Sequence, residues 1–251
     1  MAGLAPVQIA SAQMPLPGIA QLDWAIAELP EDLSKIRMLR KEALLFAKVR
    51  PRGLVQTDAD IVRGTAKSPI PAGTVFAQSR LGKKAVVCEP GRRKGQGSFA
   101  CLADTDGDGA FDHFGSVNAK SYGYGSSTQI GFLVGMVKID GWTAMETPVT
   151  ASAIADDASP ETMEMTLTLT SSPAKWSKSG ARFMLCADRN EGNNIWGAPI
   201  VVPYCTGMLR FGAGATGTAQ PLFSNGRLIV HAASADAVEV SIEGLMVGTS
   251  I

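Results

Sequence analysis

The sequence predicts a mainly β protein with one N-terminal amphipathic helix over residues 31–49, built as a β-sandwich or as two small β-modules. Three observations lead there. From residue 68 onward, short apolar runs are separated by clusters of Gly, Pro, Asn and Asp, the pattern of brief strands joined by tight turns. Glycine is abundant, at 27 of 251 residues, as turn-rich β proteins require. Met163, Met165, Leu167 and Leu169 alternate with Glu164, Thr166, Thr168 and Thr170, the two-residue period of a half-buried strand.

Residues 1–30 are apolar but interrupted by Pro6, Pro15, Pro17 and Pro30, so they read as an extended segment with a short helix near Asp23–Glu28. The helix over 31–49 rests on Leu33, Ile36, Leu39, Ala43 and Phe46, which fall on one stripe at helical spacing. Pro30 with Glu31 and Asp32 suits its start, and Pro51 with Gly53 its end. Strands are expected at Thr74–Ala77, Lys84–Cys88, Ser98–Leu102, Ile130–Ile139, Arg182–Cys186, Ile200–Cys205, Arg227–His231 and Val238–Ile242. Residues 147–160, with Pro148, Pro160 and many small side chains, read as a linker or long loop. The chain then divides into an N-terminal segment and helix (1–67), a β-module (68–146) and a second β-module (161–251), or forms one continuous domain.

The stretch that speaks a definite chemical language is Asp104-Thr-Asp106-Gly-Asp108-Gly109-Ala110-Phe-Asp112. Carboxylates at alternate positions converge when the chain curls tightly, and a hard cation such as calcium seeks six to eight oxygens. The run resembles the calcium loop of EF-hand, dockerin and thrombospondin type 3 sites. The resemblance covers residues 104–115 only. It implies Ca2+ as a structural cofactor, held by Asp104, Asp106 and Asp108, the carbonyl of Ala110, and Asp112 at the ninth position. The twelfth position departs from the pattern: it is Gly115, where a bidentate Glu is expected. Weak binding follows, of the order of 10⁻⁴–10⁻³ M.

The four cysteines, Cys88, Cys101, Cys186 and Cys205, lack the close spacing of zinc or redox motifs. Three connectivities are open, and the local pairs are favoured. A hairpin turning between Lys94 and Gly95 sets Cys88 directly opposite Cys101, where antiparallel strands approach closely enough for a disulfide. The alternative is four reduced, buried cysteines. Cys186-Ala-Asp188-Arg-Asn190-Glu-Gly-Asn193 echoes Cys101-Leu-Ala-Asp104, each a cysteine followed by an Asp/Asn/Gly loop.

Lys and Arg (23) balance Asp and Glu (23), which argues against a nucleic-acid partner. The two histidines, His113 and His231, are too few for a His-rich zinc or iron site. There is no apolar run long enough to span a membrane as a helix. Gly212-Ala-Gly214-Ala-Thr-Gly217 spells a dinucleotide fingerprint, but Pro221 follows in place of the required helix, so it reads as a loop. Asp58/Asp60 and Asp156/Asp157 are acidic pairs of the kind any glycosidase needs, and equally ordinary turn residues. Arg92, Arg93 and Lys94 at a hairpin tip, with Tyr122 and Tyr124, form a candidate ligand surface; Trp142, Trp176 and Trp196 are further aromatic platforms.

These features together point to an exported, calcium-stabilised, non-enzymatic binding or structural protein, periplasmic or extracellular, whose signal peptide has been removed. Its expected partner is a polysaccharide or a protein, with homo-oligomers allowed. The competing readings are a calcium-dependent carbohydrate-active enzyme and a virion or surface-appendage subunit.

Overall fold

Antiparallel strands build this protein, some with one buried and one exposed face and others covered on both. The computed structural model describes residues 18–62, 69–81, 84–90, 98–118, 136–139, 141–158, 164–171, 180–193, 199–212, 216–222 and 225–251. Among them the regular elements are β-strands, apart from one 3-10 turn at Asp156–Ala158.

The largest sheet contains β1 (Gly18–Leu22), β5 (Leu54–Thr57), β6 (Val75–Leu81), β7 (Lys84–Cys88), β8 (Ser98–Asp104), β9 (Phe111–Asn118), β10 (Met136–Ile139), β11 (Gly141–Val149) and β12 (Ala151–Ala153). Its path runs β10-β1-β6-β7-β8-β9-β11, with β5 beside β6 and β12 beside β5, all antiparallel. The two ends of that path are consecutive in the chain, since Ile139 closes β10 and Gly141 opens β11. The sheet therefore curls round on itself. Cys88, Cys101, Ala103 and Ile139 face inward to the main core. Val87, Ala100, Leu102 and Phe111 face the other way and form a second apolar cluster with Ile61, Ile70, Phe76 and Val149. β7 and β8 are thus buried on both faces.

The second sheet contains β2 (Trp24–Glu28), β4 (Ala43–Pro51), β13 (Met165–Ser171), β14 (Arg182–Asn193) and β15 (Pro199–Arg210), in the order β15-β14-β13-β4-β2. The third contains β3 (Ile36–Leu39), β16 (Thr218–Pro221), β17 (Arg227–Ala233) and β18 (Ala237–Glu243), in the order β16-β17-β18-β3. One apolar core joins the three, with Trp24, Phe46, Phe183, Leu228 and Val240 among its buried members.

The mainly β class stands, but the helix expected over 31–49 is replaced by β3, a turn and β4. Two physical facts explain the difference. Lys41 adopts a left-handed backbone (φ 64°), turning the chain tightly without glycine or asparagine to announce it. Ser171 secures that turn: its Oγ accepts from the Glu42 N–H (3.0 Å) and donates to the Leu39 carbonyl (2.6 Å). In β4 the register slips where Leu167 faces Ala47 and Thr168 faces Leu45, so Phe46 is an extra, bulged residue. Phe46 and Ala47 are consequently both buried, and a two-residue period acquires a helical look. The short helix expected near Asp23–Glu28 is also a strand, β2. The linker expected at 147–160 begins as sheet instead: β11 runs to Val149, and Ala151, Ser152 and Ala153 pair with Thr57, Gln56 and Val55.

The other expected strands are present where the structure describes them, including β6, β7, β8, β13, β14, β15, β17 and β18. Of the strand expected over 130–139, residues 136–139 are described. Among the described residues β15 ends the second sheet. Its Cys205 faces Cys186 at a Cα–Cα distance of 4.0 Å, the close spacing of a non-hydrogen-bonded pair, in which the backbone N and C=O point away from the partner strand. Pro203, two residues away, shares that backbone orientation, so its nitrogen, which carries no N–H, is not needed for the ladder with β14.

Candidate metal centre

Asp104 is the last residue of β8, and Phe111 the first of β9, so residues 105–110 are the turn between them. The strands are held in register by Leu102 opposite Phe114 and Ala103 opposite His113. One strand back, Cys88 stands directly opposite Cys101, and the two form a disulfide, as the hairpin register requires. Both are fully buried. The turn therefore projects from a rigid base. Gly107 (φ 80°) and Gly109 (φ 93°) supply the left-handed backbone that the tight curl needs.

The carboxylates of Asp104, Asp106 and Asp108 come together, each offering an oxygen within 4.8 Å of the others. Local hydrogen bonds aim them. Asp104 accepts from the Gly107 N–H (2.7 Å) and the Gly109 N–H (3.0 Å), Asp106 from the Asp108 N–H (3.3 Å), and Asp108 from the Ala110 N–H (2.8 Å). The Asp106 and Asp108 bonds are Asx-turns and the two to Asp104 close the loop over it, so the loop is stabilised by itself. They leave lone pairs on each carboxylate, since an ionised carboxylate accepts about four bonds. Three like charges this close repel, and a hard cation with oxygen preference would relieve that. The donor set is all oxygen, the kind that hard cations prefer.

Asp112 lies outside this cluster. It accepts from the Thr105 N–H (3.1 Å) and the Thr105 hydroxyl (2.5 Å), and its Oδ1 lies 3.0 Å from His113 Nδ1. With the proton on Nδ1, His113 donates to Asp112 and fixes the base of the loop. Burial works to raise the Asp112 carboxyl; the Thr105 hydroxyl, the His113 ring, the Thr105 amide and the histidine's charge together outweigh it and hold the carboxyl below the ordinary aspartate range. Sequence reasoning missed this clasp because Thr and His carry no motif on their own.

Gly115, the twelfth position, belongs to β9 and is buried beneath Trp142 and Ile139. A Cβ there would come within 2.9 Å of Ile139 Cγ2 and of the Trp142 ring. A glutamate ligand at this position is sterically excluded, so any further oxygen must come from elsewhere or from water.

The remaining candidates are dispersed. Arg92, Arg93, Lys94, Tyr122, Tyr124, Trp176 and Trp196 lie outside the described residues. Trp142 is a core residue, 7 % exposed. Asp58 accepts from the hydroxyls of Thr150 (2.8 Å) and Ser152 (2.9 Å), Asp60 from the Ala72 N–H (2.7 Å), and Asp156 from the Gly53 N–H (3.0 Å), so each is used in tying connecting segments together. His231 meets the buried Ser241 hydroxyl at 2.8 Å. Gly217 is followed at once by β16, so no helix opens there. Glu89, 3 % exposed, accepts from the Ala100 N–H (2.7 Å) just beyond the disulfide, a buried acid that the sequence did not flag. The second disulfide joins Cys186 to Cys205. No helix among the described residues is long and apolar enough to cross a membrane.

Comparison of the chain with models of protein families, with curated proteins and with solved structures finds no match.

Proposed function

We propose that this is an exported, calcium-stabilised binding or structural protein without catalytic activity, working in the periplasm or outside the cell on a polysaccharide or protein partner. The observation that carries the proposal is the convergence of Asp104, Asp106 and Asp108 on a turn that a buried disulfide braces. Two disulfides fit a non-reducing environment, where calcium is also plentiful. The ion's role here is structural: it neutralises three convergent carboxylates and locks the β8–β9 turn, leaving the strands beyond it to present the binding surface.

Thermal unfolding of the non-reduced protein with calcium, with EDTA, and in the Asp106→Asn variant tests this. With 5 mM calcium and a Kd of about 0.5 mM, linkage adds ~1.4 kcal/mol. For a chain of this size that raises the Tm by roughly 3–6 °C. The rise should vanish in Asp106→Asn. An unchanged Tm at 10 mM calcium would leave the three aspartates as turn formers only.

A further inference from the structure

The two disulfides sit in opposite surroundings, and this bears on their chemistry. Thiol–disulfide exchange is a displacement: the incoming thiolate approaches one sulfur from the side opposite the other, along the extended S–S axis, and its rate depends on access. For Cys88–Cys101 that axis is closed at both ends. The bridge faces the inside of the curled sheet, and both residues are 0 % exposed. Ala77 of β6 lies beside Cys88, and Gly115 of β9 lies beside Cys101.

Among the described residues, Cys186–Cys205 is closed at one end only. Phe183, Leu185 and Ala187 belong to the main core, so alternation sets Cys186 on the other face of the second sheet. β13 covers its flank: Thr168 is its register partner, and the Thr170 hydroxyl lies 4.0 Å from Cys186 Sγ. Cys186 is 2 % exposed. Among the described residues β15 is the edge of the sheet and pairs with β14 alone. Cys205 is exposed.

We propose that Cys205 is a site of thiol–disulfide exchange that takes a dithiol reductant, entering on the side of β15 away from β14. One thiolate of the reductant forms a bond to Cys205 Sγ; the Cys186–Cys205 bond breaks, and its electron pair leaves on Cys186 Sγ, which takes a proton from water. The Thr170 hydroxyl is near enough to steady that leaving thiolate. The reductant's second thiolate then displaces Cys205, which is protonated in turn. The protein gains two thiols, and the dithiol is oxidised to its disulfide. Cys88–Cys101 stays closed, so the clip beneath the aspartate turn survives the opening of β14–β15.

Incubating the native protein with dithiothreitol, quenching with iodoacetamide and mapping each cysteine by peptide mass spectrometry tests this. Alkylation of Cys186 and Cys205 should run at least ~10-fold ahead of Cys88 and Cys101, because the buried pair reacts only through opening of the sheet. In guanidinium the ratio should fall towards about one, since burial is lost. Equal rates in the native protein, or earlier opening of Cys88–Cys101, would overturn the proposal. With excess glutathione the first mixed disulfide should appear on the Cys205 peptide; its first appearance on the Cys186 peptide would overturn the direction of attack.

Discussion

The β7–β8 hairpin and the β14–β15 ribbon begin alike and end differently. Each is clipped by a disulfide between residues in direct register, with the same Cα–Cα distance of 4.0 Å. Each cysteine on the N-terminal side of its Asp/Asn/Gly run is followed within three residues by an aspartate: Cys101 by Asp104, and Cys186 by Asp188. After Asp104 the chain leaves the sheet and curls its carboxylates together. After Asp188 it stays in the sheet as far as Asn193, because β15 continues to offer partners, Val202 opposite Arg189 and Val201 opposite Asn190. Composition suited to a turn becomes a turn only where the neighbouring strand stops supplying a ladder.

The largest test of this comparison removes each clip in turn. Chain-entropy reasoning gives nearly equal stabilisation for closures of 13 and 19 residues, about 3 kcal/mol each. Cys88→Ala/Cys101→Ala also empties space in a core closed on both faces, so its total cost should reach ~4–5 kcal/mol. Cys186→Ala/Cys205→Ala, with one residue exposed, should stay at or below ~3 kcal/mol. Urea unfolding of the two variants measures both, and equal losses would show that burial adds nothing to the inner clip. A smaller effect is expected at Gly115→Val, which drives a side chain into Ile139 and Trp142 and should cost roughly 1–3 kcal/mol by overpacking. An unchanged urea midpoint there would mean that β9 and β11 can part without penalty.

The smallest effect separates the two regions by pH. The Asp112 carboxyl is held below its unfolded value, so the folded state keeps it ionised more readily than the unfolded chain does. Its stabilisation is present above the unfolded aspartate value near ~4 and is lost as pH falls through the lower, folded value. Asp112→Asn should therefore lose stability at pH 7 and show a shallower decline between about pH 5 and 3 than the parent protein. Parallel declines would remove Asp112 from the acid response of the loop.

Much of this architecture can be read from the residues, and the exceptions have causes. Met165, Leu167 and Leu169 announce β13 because one face is core and the other is threonine. Cys88 and Cys101 could be set in register by counting outward from Lys94 and Gly95, and β7 and β8 do pair with these two residues opposed. The helix over 31–49 was misread because Ala, Leu, Lys and Arg favour helices intrinsically, while β13 and β18 supply ladders that outweigh that preference. The turn at Lys41 is invisible because its left-handed residue is neither Gly nor Asn. At the candidate site, alternating aspartates and glycines foretell the convergence of three carboxylates. The clasp of Thr105, Asp112 and His113 was not legible, since it depends on which strand face His113 takes once β8 and β9 pair.

The way the first strands are shared among the sheets has a bearing on how the chain is made. β1 pairs with β10, β4 with β13, and β3 with β18, so Ala20 waits for Val137, Ala47 for Leu167, and Leu39 for Ala237. None of the three sheets can close from the N-terminal residues alone, and the third must wait until its last strand has left the ribosome. Pairings this distant in sequence make for slow folding. The third sheet is accordingly completed only once β18 has been made, long after the local pairings of β6 to β9 are possible.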